Sequence, residues 1–78
     1  MKLLVRNLDR TLDEETLRTM FEAYGRIQSC TIVMDPKTGV SKGFGFVEMP
    51  VPGEAKAAMK QLNGTSVADL VIRVKKAE

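Results

Sequence analysis

The sequence contains no histidine and only one cysteine, Cys30, among its 78 residues. A single cysteine cannot form a disulfide within the chain, and it cannot supply a paired-cysteine metal or redox site. The lack of histidine removes a common metal ligand, which excludes most zinc and iron chemistry. We therefore expect a protein that carries no metal and no other cofactor.

Long hydrophobic runs are also missing. The N-terminal apolar stretch, Leu3 to Val5, is interrupted by Arg6, which makes it too short for the apolar region of a signal peptide. No other stretch approaches the length of about 20 apolar residues that a membrane-spanning helix needs. These absences predict a cytoplasmic protein in a reducing compartment, without a membrane partner.

The composition is that of one small globular domain. Apolar residues make up 44% of the chain and charged residues 28%, proportions typical of folded soluble domains. The length allows one sheet with its covering helices, so we expect a single domain over residues 1–78. The net charge of +2 is weak evidence for a polyanionic partner. The positions of the charges therefore matter more than their sum.

Hydrophobic periodicity predicts six elements of secondary structure. The predicted strands cover residues 2–8, 26–34, 42–49 and 70–75, and the predicted helices cover residues 14–24 and 52–62. A bulge is predicted at Ser29 in the second strand. Asp13 is placed to cap the first helix, and Gly25 is placed to end it. The order strand, helix, strand, strand, helix, strand predicts an α+β, ferredoxin-like βαββαβ sandwich. In that fold a four-stranded antiparallel sheet carries two helices on one face.

The stretch KGFGFVEM in the third strand is the strongest functional signal. Alternation along a strand places Phe44 and Phe46 on one face, and Val47 and Met49 on the other. The opposite arrangement would bury the Glu48 carboxylate without a partner, which is costly. We therefore expect both phenylalanine rings on the face of the sheet that no helix covers.

Alternation along the other strands divides the remaining side chains between the two faces. The predicted inward-facing residues are apolar: Leu3, Val5, Ile32, Leu70, Ile72 and Val74. The open face or its rim receives Leu4, Arg6, Lys42, Arg73 and Lys75. Aromatic rings among cations suit single-stranded nucleic acid, because bases stack on the rings while the cations neutralise phosphates. Tyr24 and Cys30 are expected to pack in the core.

Several stretches, taken in order, resemble the RNA recognition motif family. KGFGFVEM is similar to the family's octapeptide motif and LLVRNL to its hexapeptide motif, and the LDEETL, FEAYG, DPKTG and QLNG stretches also match. The resemblance covers essentially the entire chain and extends to the short single-domain bacterial members. It implies that Phe44 and Phe46 stack on bases or a ribose and that Lys42 contacts phosphate. The predicted RNA-binding residues are Leu4, Arg6, Asn7, Lys42, Phe44, Phe46, Glu48, Arg73 and Lys75.

Two positions depart from the family pattern. The second place of the hexapeptide is usually aromatic, and here it is Leu4, so one of three stacking platforms is missing. The loss of one stacked base costs about 1–3 kcal/mol of binding free energy. Met49 replaces the last aromatic of the octapeptide, but it lies on the face that the helices cover, where it is a core substitution.

Three classes of function remain open at this point. The favoured one is a single-stranded RNA binder, and single-stranded DNA stays open because stacking is indifferent to the 2′-hydroxyl. The alternative is a protein-interaction module that uses the same sheet face. A small hydrolase resembling acylphosphatases would use Asn7 and Arg10, but Asp9 in the same loop would repel a substrate phosphate. We therefore expect a monomeric binding protein without enzyme activity.

Overall fold

The computed structural model of the protein describes residues 1–77 as a sheet with two helices on one face. The strands are β1 (Lys2–Arg6), β2 (Ser29–Met34), β3 (Ser41–Glu48), β4 (Ser66–Val67), β5 (Leu70–Val71) and β6 (Arg73–Lys76); the helices are α1 (Glu14–Glu22) and α2 (Pro52–Leu62). The main sheet is antiparallel with the order β2, β3, β1, β6, and β4 pairs with β5 as a separate hairpin. The predicted ferredoxin-like sandwich is confirmed.

The hydrophobic core lies between the main sheet and the two helices. Val5 of β1 and Val47 of β3 are fully buried there with Phe21 of α1 and Ala58 of α2. Cys30 is also buried in this cluster, and Tyr24 packs against it, as the sequence predicts. The face of the sheet opposite the helices therefore has no cover among the described residues.

The last predicted strand, residues 70–75, is wrong in its first half. Leu70 and Val71 pair back onto β4, and only the segment after Ile72 joins the main sheet. The two residues between β4 and β5, Ala68 and Asp69, have positive φ angles of 51° and 69°, as a two-residue type I′ turn requires. Leu70, predicted to face inward, is consequently 36% exposed.

The predicted bulge at Ser29 is also wrong, because β2 begins at Ser29 and pairs regularly there. The irregularity lies further along, where the register with β3 shifts between Ile32 and Met34. Gly45 of β3 lies opposite Ile32, and a Cβ atom on it would collide with the carbonyl oxygen of Thr31 and lie 3.1 Å from the Ile32 Cα. The two backbones can approach this closely only because residue 45 is glycine.

Helix α1 begins as predicted, with Asp13 as its N-cap. The carboxylate accepts a hydrogen bond from the Thr16 backbone N–H at 2.8 Å, and Glu14 and Glu15 occupy the first turn. Hydrogen bonds from Thr16 lower the pKa of Asp13 below its usual value. The charged carboxylate is therefore the form that stabilises the helix start.

A Gly45→Ala substitution should destabilise the fold by about 1–3 kcal/mol, because the new methyl group has no room against the β2 backbone. Urea unfolding followed by circular dichroism measures this loss. Gly53→Ala is the matched control, since nothing lies within 4 Å of its Cβ position and the residue is in α2. That variant should be as stable as the parent or slightly more stable. Equal stability of the two variants would contradict the close approach at Gly45.

Stability should fall in acid partly through Asp13. Its folded-state pKa lies below its unfolded one, so its contribution is complete above the unfolded pKa and is lost as the pH falls through the folded pKa. Asp13→Asn keeps a capping oxygen but removes the titration, and it should therefore lose less stability between neutral pH and pH ~3 than the parent protein. Thermal melts across that range, with Glu22→Gln as the control, test this. Parallel acid losses for parent and Asp13→Asn would refute the assignment.

Candidate nucleic-acid interface

The pairing of β1 with β3 sets the centre of the open face. Leu4 lies opposite Phe46, and Arg6 lies opposite Phe44. On the other side of β1, Leu4 lies opposite Lys75 and Arg6 lies opposite Arg73. Because the alternate residues of these strands fill the core, all six side chains project from the open face.

Phe44 and Phe46 form a partly buried aromatic pair in the middle of this face. Their ring centres are 6.3 Å apart, and their planes are nearly perpendicular at 86°. Each ring is half-buried by its neighbours, so the pair is held by packing while part of each ring stays accessible. Perpendicular rings cannot both lie flat under two parallel bases. The arrangement suits one flat base on one ring and a ribose or a differently inclined base on the other.

Cations surround the two rings. Arg6, Lys42, Arg73 and Lys75 are all exposed, as the sequence predicts. Arg6 and Arg73 stand directly opposite each other on neighbouring strands, where like charges destabilise a sheet. An anion bound between them would remove that repulsion, so the pair favours a phosphate-bearing ligand.

Two further cations belong to this surface and were missed in the sequence. The ammonium of Lys2 lies 4.6 Å from the centre of the Phe46 ring, within the range of a cation–π interaction. Alternation along β1 could have found it, because Lys2, Leu4 and Arg6 are two residues apart. Arg10 lines a groove together with Lys42, and no periodic pattern marks a loop residue of this kind.

Asn7 and Glu48, both predicted to bind RNA, have partners within the protein. The Asn7 amide donates a hydrogen bond to the backbone carbonyl of Val71 at 2.7 Å, and its φ angle is 61°. The Glu48 carboxylate accepts a hydrogen bond from the Ser29 hydroxyl at 3.1 Å. Asn7 therefore ties the β4–β5 hairpin to the end of β1, in addition to facing the site.

Two open grooves lie at the end of the sheet where β1 finishes, and the first of them borders Phe44 of the aromatic pair. The first, of about 570 Å³, is lined by Arg6, Asn7, Leu8, Asp9, Arg10, Lys42, Gly43, Phe44 and Leu70. The second, of about 550 Å³, is lined by Arg6, Asn7, Asn63, Arg73, Val74 and Lys75. Arg6 and Asn7 line both grooves. The two therefore meet at the end of β1, and every predicted site residue except Leu4, Phe46 and Glu48 borders one of them.

One of the groups that a hydrolase would need is engaged elsewhere, since the Asn7 amide is bound to Val71. The Asp9 carboxylate accepts hydrogen bonds from the Thr11 backbone N–H and hydroxyl, which lower the pKa of Asp9. Asp9 is therefore charged at neutral pH. Burial raises the pKa of the Cys30 thiol, so it is not an activated nucleophile.

Within residues 1–77 no group of three or more acidic or sulfur side chains is placed to hold a metal ion. The same part of the chain contains no helix that is long and apolar enough to cross a membrane.

The hydrogen bond from Asn7 should hold the β4–β5 hairpin in place. Asn7→Gly keeps the positive φ angle accessible but deletes the amide, and it should speed hydrogen exchange of the Leu70 and Val71 amides while costing about 1 kcal/mol of stability. Ser66→Gly, in the same hairpin, is the control for chain flexibility alone. Unchanged exchange in Asn7→Gly would show that the hairpin is held by other contacts.

Comparison of the chain with known proteins identifies a matching family and several relatives. The RNA recognition motif family matches residues 3–73. Polyadenylate-binding protein 5 of Arabidopsis thaliana is 43% identical over 65 residues, which are 83% of this chain and 9% of that protein. The poly(U)-binding-splicing factor of Homo sapiens is 33% identical over 76 residues, which are 97% of this chain and 14% of that protein. The chain thus spans a small fraction of the length of these relatives.

Solved structures of RNA-binding proteins are also similar to this chain. The crystal structure of RNA Binding Protein PG1 matches 99% of this chain and 93% of its own, with 35% identity and a TM-score of 0.96. An Sxl-lethal protein/RNA complex matches 99% of this chain and 46% of its own, with 34% identity and a TM-score of 0.95. These sequence relatives are plant and animal proteins, so the resemblance to short bacterial members stays a prediction. The chain belongs to the RNA recognition motif family.

Proposed function

We propose that the protein binds single-stranded RNA on the open face of its sheet. The observation that carries this proposal is the Phe44–Phe46 pair at the centre of that face, with Arg6 and Arg73 facing each other beside it. Rings without a helix above them offer stacking surfaces, and the flanking cations offer phosphate contacts. In this proposal the domain acts as a monomer that binds without catalysing a reaction.

The rings would contact the nucleotides in two different ways. Because their planes are perpendicular, one ring receives a base face-on while the other contacts a ribose or an inclined base. Leu4, between Phe46 and Lys75 on the sheet, adds aliphatic contact but no aromatic face. Two aromatic platforms where the family usually has three predict weak binding, in the micromolar range or poorer.

The cations would follow the RNA backbone across the sheet. Lys42 lies on β3, and Arg73 and Lys75 lie on β6. Arg6 lies on β1, the strand between these two. The sites are spread over three neighbouring strands, so one extended single strand can contact them in turn. Asn7 and Glu48 complete the proposed set of RNA-binding residues. Asn7 lines the groove that Arg73 and Lys75 also line, and Glu48 is the last residue of β3, two positions after Phe46.

The hydrogen-bonding edges of the bases would be read partly by backbone groups of β6. This strand pairs only with β1 in the main sheet, which leaves its outer edge towards solvent. One outer group is already used, since the Val74 N–H donates to the Asn63 side chain at 3.0 Å. The remaining groups near Lys75 can donate to or accept from an unpaired base.

The relatives support recognition of unpaired RNA. Those identified above are named for polyadenylate binding and for poly(U) binding, and one similar structure is a protein/RNA complex. A homopolymer of either kind has no complementary strand of its own, so these names agree with a surface for stacked, unpaired bases. The expected cytoplasmic location stays a prediction.

Phe44→Leu and Phe46→Leu should each weaken binding of a random-sequence single-stranded RNA by about 1–3 kcal/mol while leaving the fold intact, because both rings lie outside the core. Fluorescence anisotropy with labelled RNA gives the affinity. Tyr24→Leu, an aromatic replacement on the helix side, is the matched control and should bind as tightly as the parent. Unchanged affinity in the Phe44→Leu, Phe46→Leu double variant would refute the proposed site.

The salt dependence of RNA binding tests the proposed phosphate contacts. Each phosphate contact on a single strand contributes about 0.7 to the slope of log affinity against log salt, so Arg73→Gln should reduce the slope by that amount. Lys56→Gln, an exposed cation on α2, should leave the slope unchanged. RNA binding that ignores salt would contradict the phosphate contacts. Repeating the titration with DNA of the same sequence tests the 2′-hydroxyl.

A further inference from the structure

We propose that the end of the sheet holds an additional nucleotide subsite, at the edge of the open face, with Leu70 as an apolar wall and Arg10 as its phosphate contact. The subsite is the 570 Å³ groove that adjoins Phe44. This inference rests on the proposed function, since it adds one nucleotide to the strand bound on the sheet. Neither Leu70 nor Arg10 belongs to the set of residues that the sequence predicts to bind RNA.

The groove has the size and the lining that a nucleotide requires. Its volume falls within the range of about 300–1,000 Å³ found for small-ligand sites. Phe44 and Leu70 both line it, and Leu70 is 36% exposed although it is a large apolar residue. A base entering the groove would be in contact with the apolar parts of both side chains.

The walls of the groove are already held in place by hydrogen bonds between segments distant in sequence. The Leu8 backbone N–H donates to the Gly43 carbonyl at 2.8 Å, which ties the loop after β1 to the start of β3. The Asn7 amide donates to Val71 at 2.7 Å, which ties the same loop to β5. A site assembled before the ligand arrives loses less entropy on binding.

The charges around the groove favour an anionic ligand. Arg6, Arg10 and Lys42 line it as cations, and Asp9 is the one acidic side chain that lines it. Arg10 and Lys42 also line a smaller neighbouring groove of about 320 Å³ that Phe44 borders too. Because three cations outnumber one carboxylate, the groove suits the phosphate of an entering nucleotide, and Arg10 is the contact that the sheet face does not already use.

The β4–β5 hairpin is thus the element that creates the subsite. A continuous last strand through residues 70–75 would turn Leu70 into the core and leave Phe44 beside open solvent. The type I′ turn at Ala68 and Asp69 instead folds Leu70 back to the edge of the groove. The type I′ turn therefore explains both the β4–β5 hairpin, which the sequence does not predict, and the exposure of Leu70.

The test uses random-sequence RNA pools of fixed length, lengthened one nucleotide at a time at either end, with an abasic nucleotide as the alternative addition. For the parent protein, one added nucleotide should tighten binding about five- to tenfold, the lower part of the range for a stacked base. Addition of an abasic nucleotide should increase the affinity clearly less, because it brings a phosphate without a base.

Two variants locate that gain. In Leu70→Ala and in Arg10→Gln the added nucleotide should bring at most a twofold gain, while the shortest bound pool should bind as it does to the parent. Val51→Ala and Lys60→Gln also shorten an apolar side chain and remove a cation, on exposed residues of the helix side, and should keep the full gain. Arg10 is exposed outside the core, so Arg10→Gln decides the question even where Leu70→Ala perturbs the hairpin.

The outcomes separate this inference from the proposed function. If Arg10→Gln keeps the full gain, the added nucleotide binds elsewhere and the subsite is refuted, although RNA binding on the sheet stands. If the parent binds the short pools and gains nothing at any added position, the subsite is refuted in the same way. If no pool of any length binds the parent, the proposed function itself fails, and the subsite fails with it.

Discussion

The antiparallel pairing of β1 with β3 is the constraint on which the rest of the structure depends. It places Val5 opposite Gly45 on the core side, and it places Arg6 opposite Phe44 on the open side. A slip of one residue would exchange the two faces, which would bury Glu48 and expose Val47. The helix-covered core and the displayed rings are therefore two results of the same register.

Short backbone contacts, each of which needs a particular residue type, organise this sheet and the end where β1 finishes. Gly45 allows the β2 backbone to come close at the register shift, and Gly43 takes a φ angle of 84° where the Leu8 N–H reaches its carbonyl. Asn7 tolerates a positive φ angle and uses its amide to hold Val71. These contacts bring the loop after β1, the start of β3 and the β4–β5 hairpin together around one groove.

The sequence is sufficient to predict the elements whose patterns are long and regular. The α2 boundaries and the Asp13 cap follow from periodicity and capping chemistry, and the outward direction of Phe44 follows from the cost of burying Glu48. The inward orientation predicted for Leu70 is wrong because the type I′ turn before it is formed by an Ala-Asp pair, which lacks the usual asparagine and glycine signal. Arg10 carries no periodic signal at all, since its position depends on how distant segments meet.

We propose that the open sheet face, rather than the helix face, receives a single-stranded nucleic acid. A titration of backbone amide resonances with single-stranded RNA, at low and at moderate salt, distinguishes the two faces. We expect shift changes along β1, β3 and β6 that become smaller as salt increases, with α2 unaffected. Changes concentrated on α1 and α2, with the sheet amides unmoved, would contradict it.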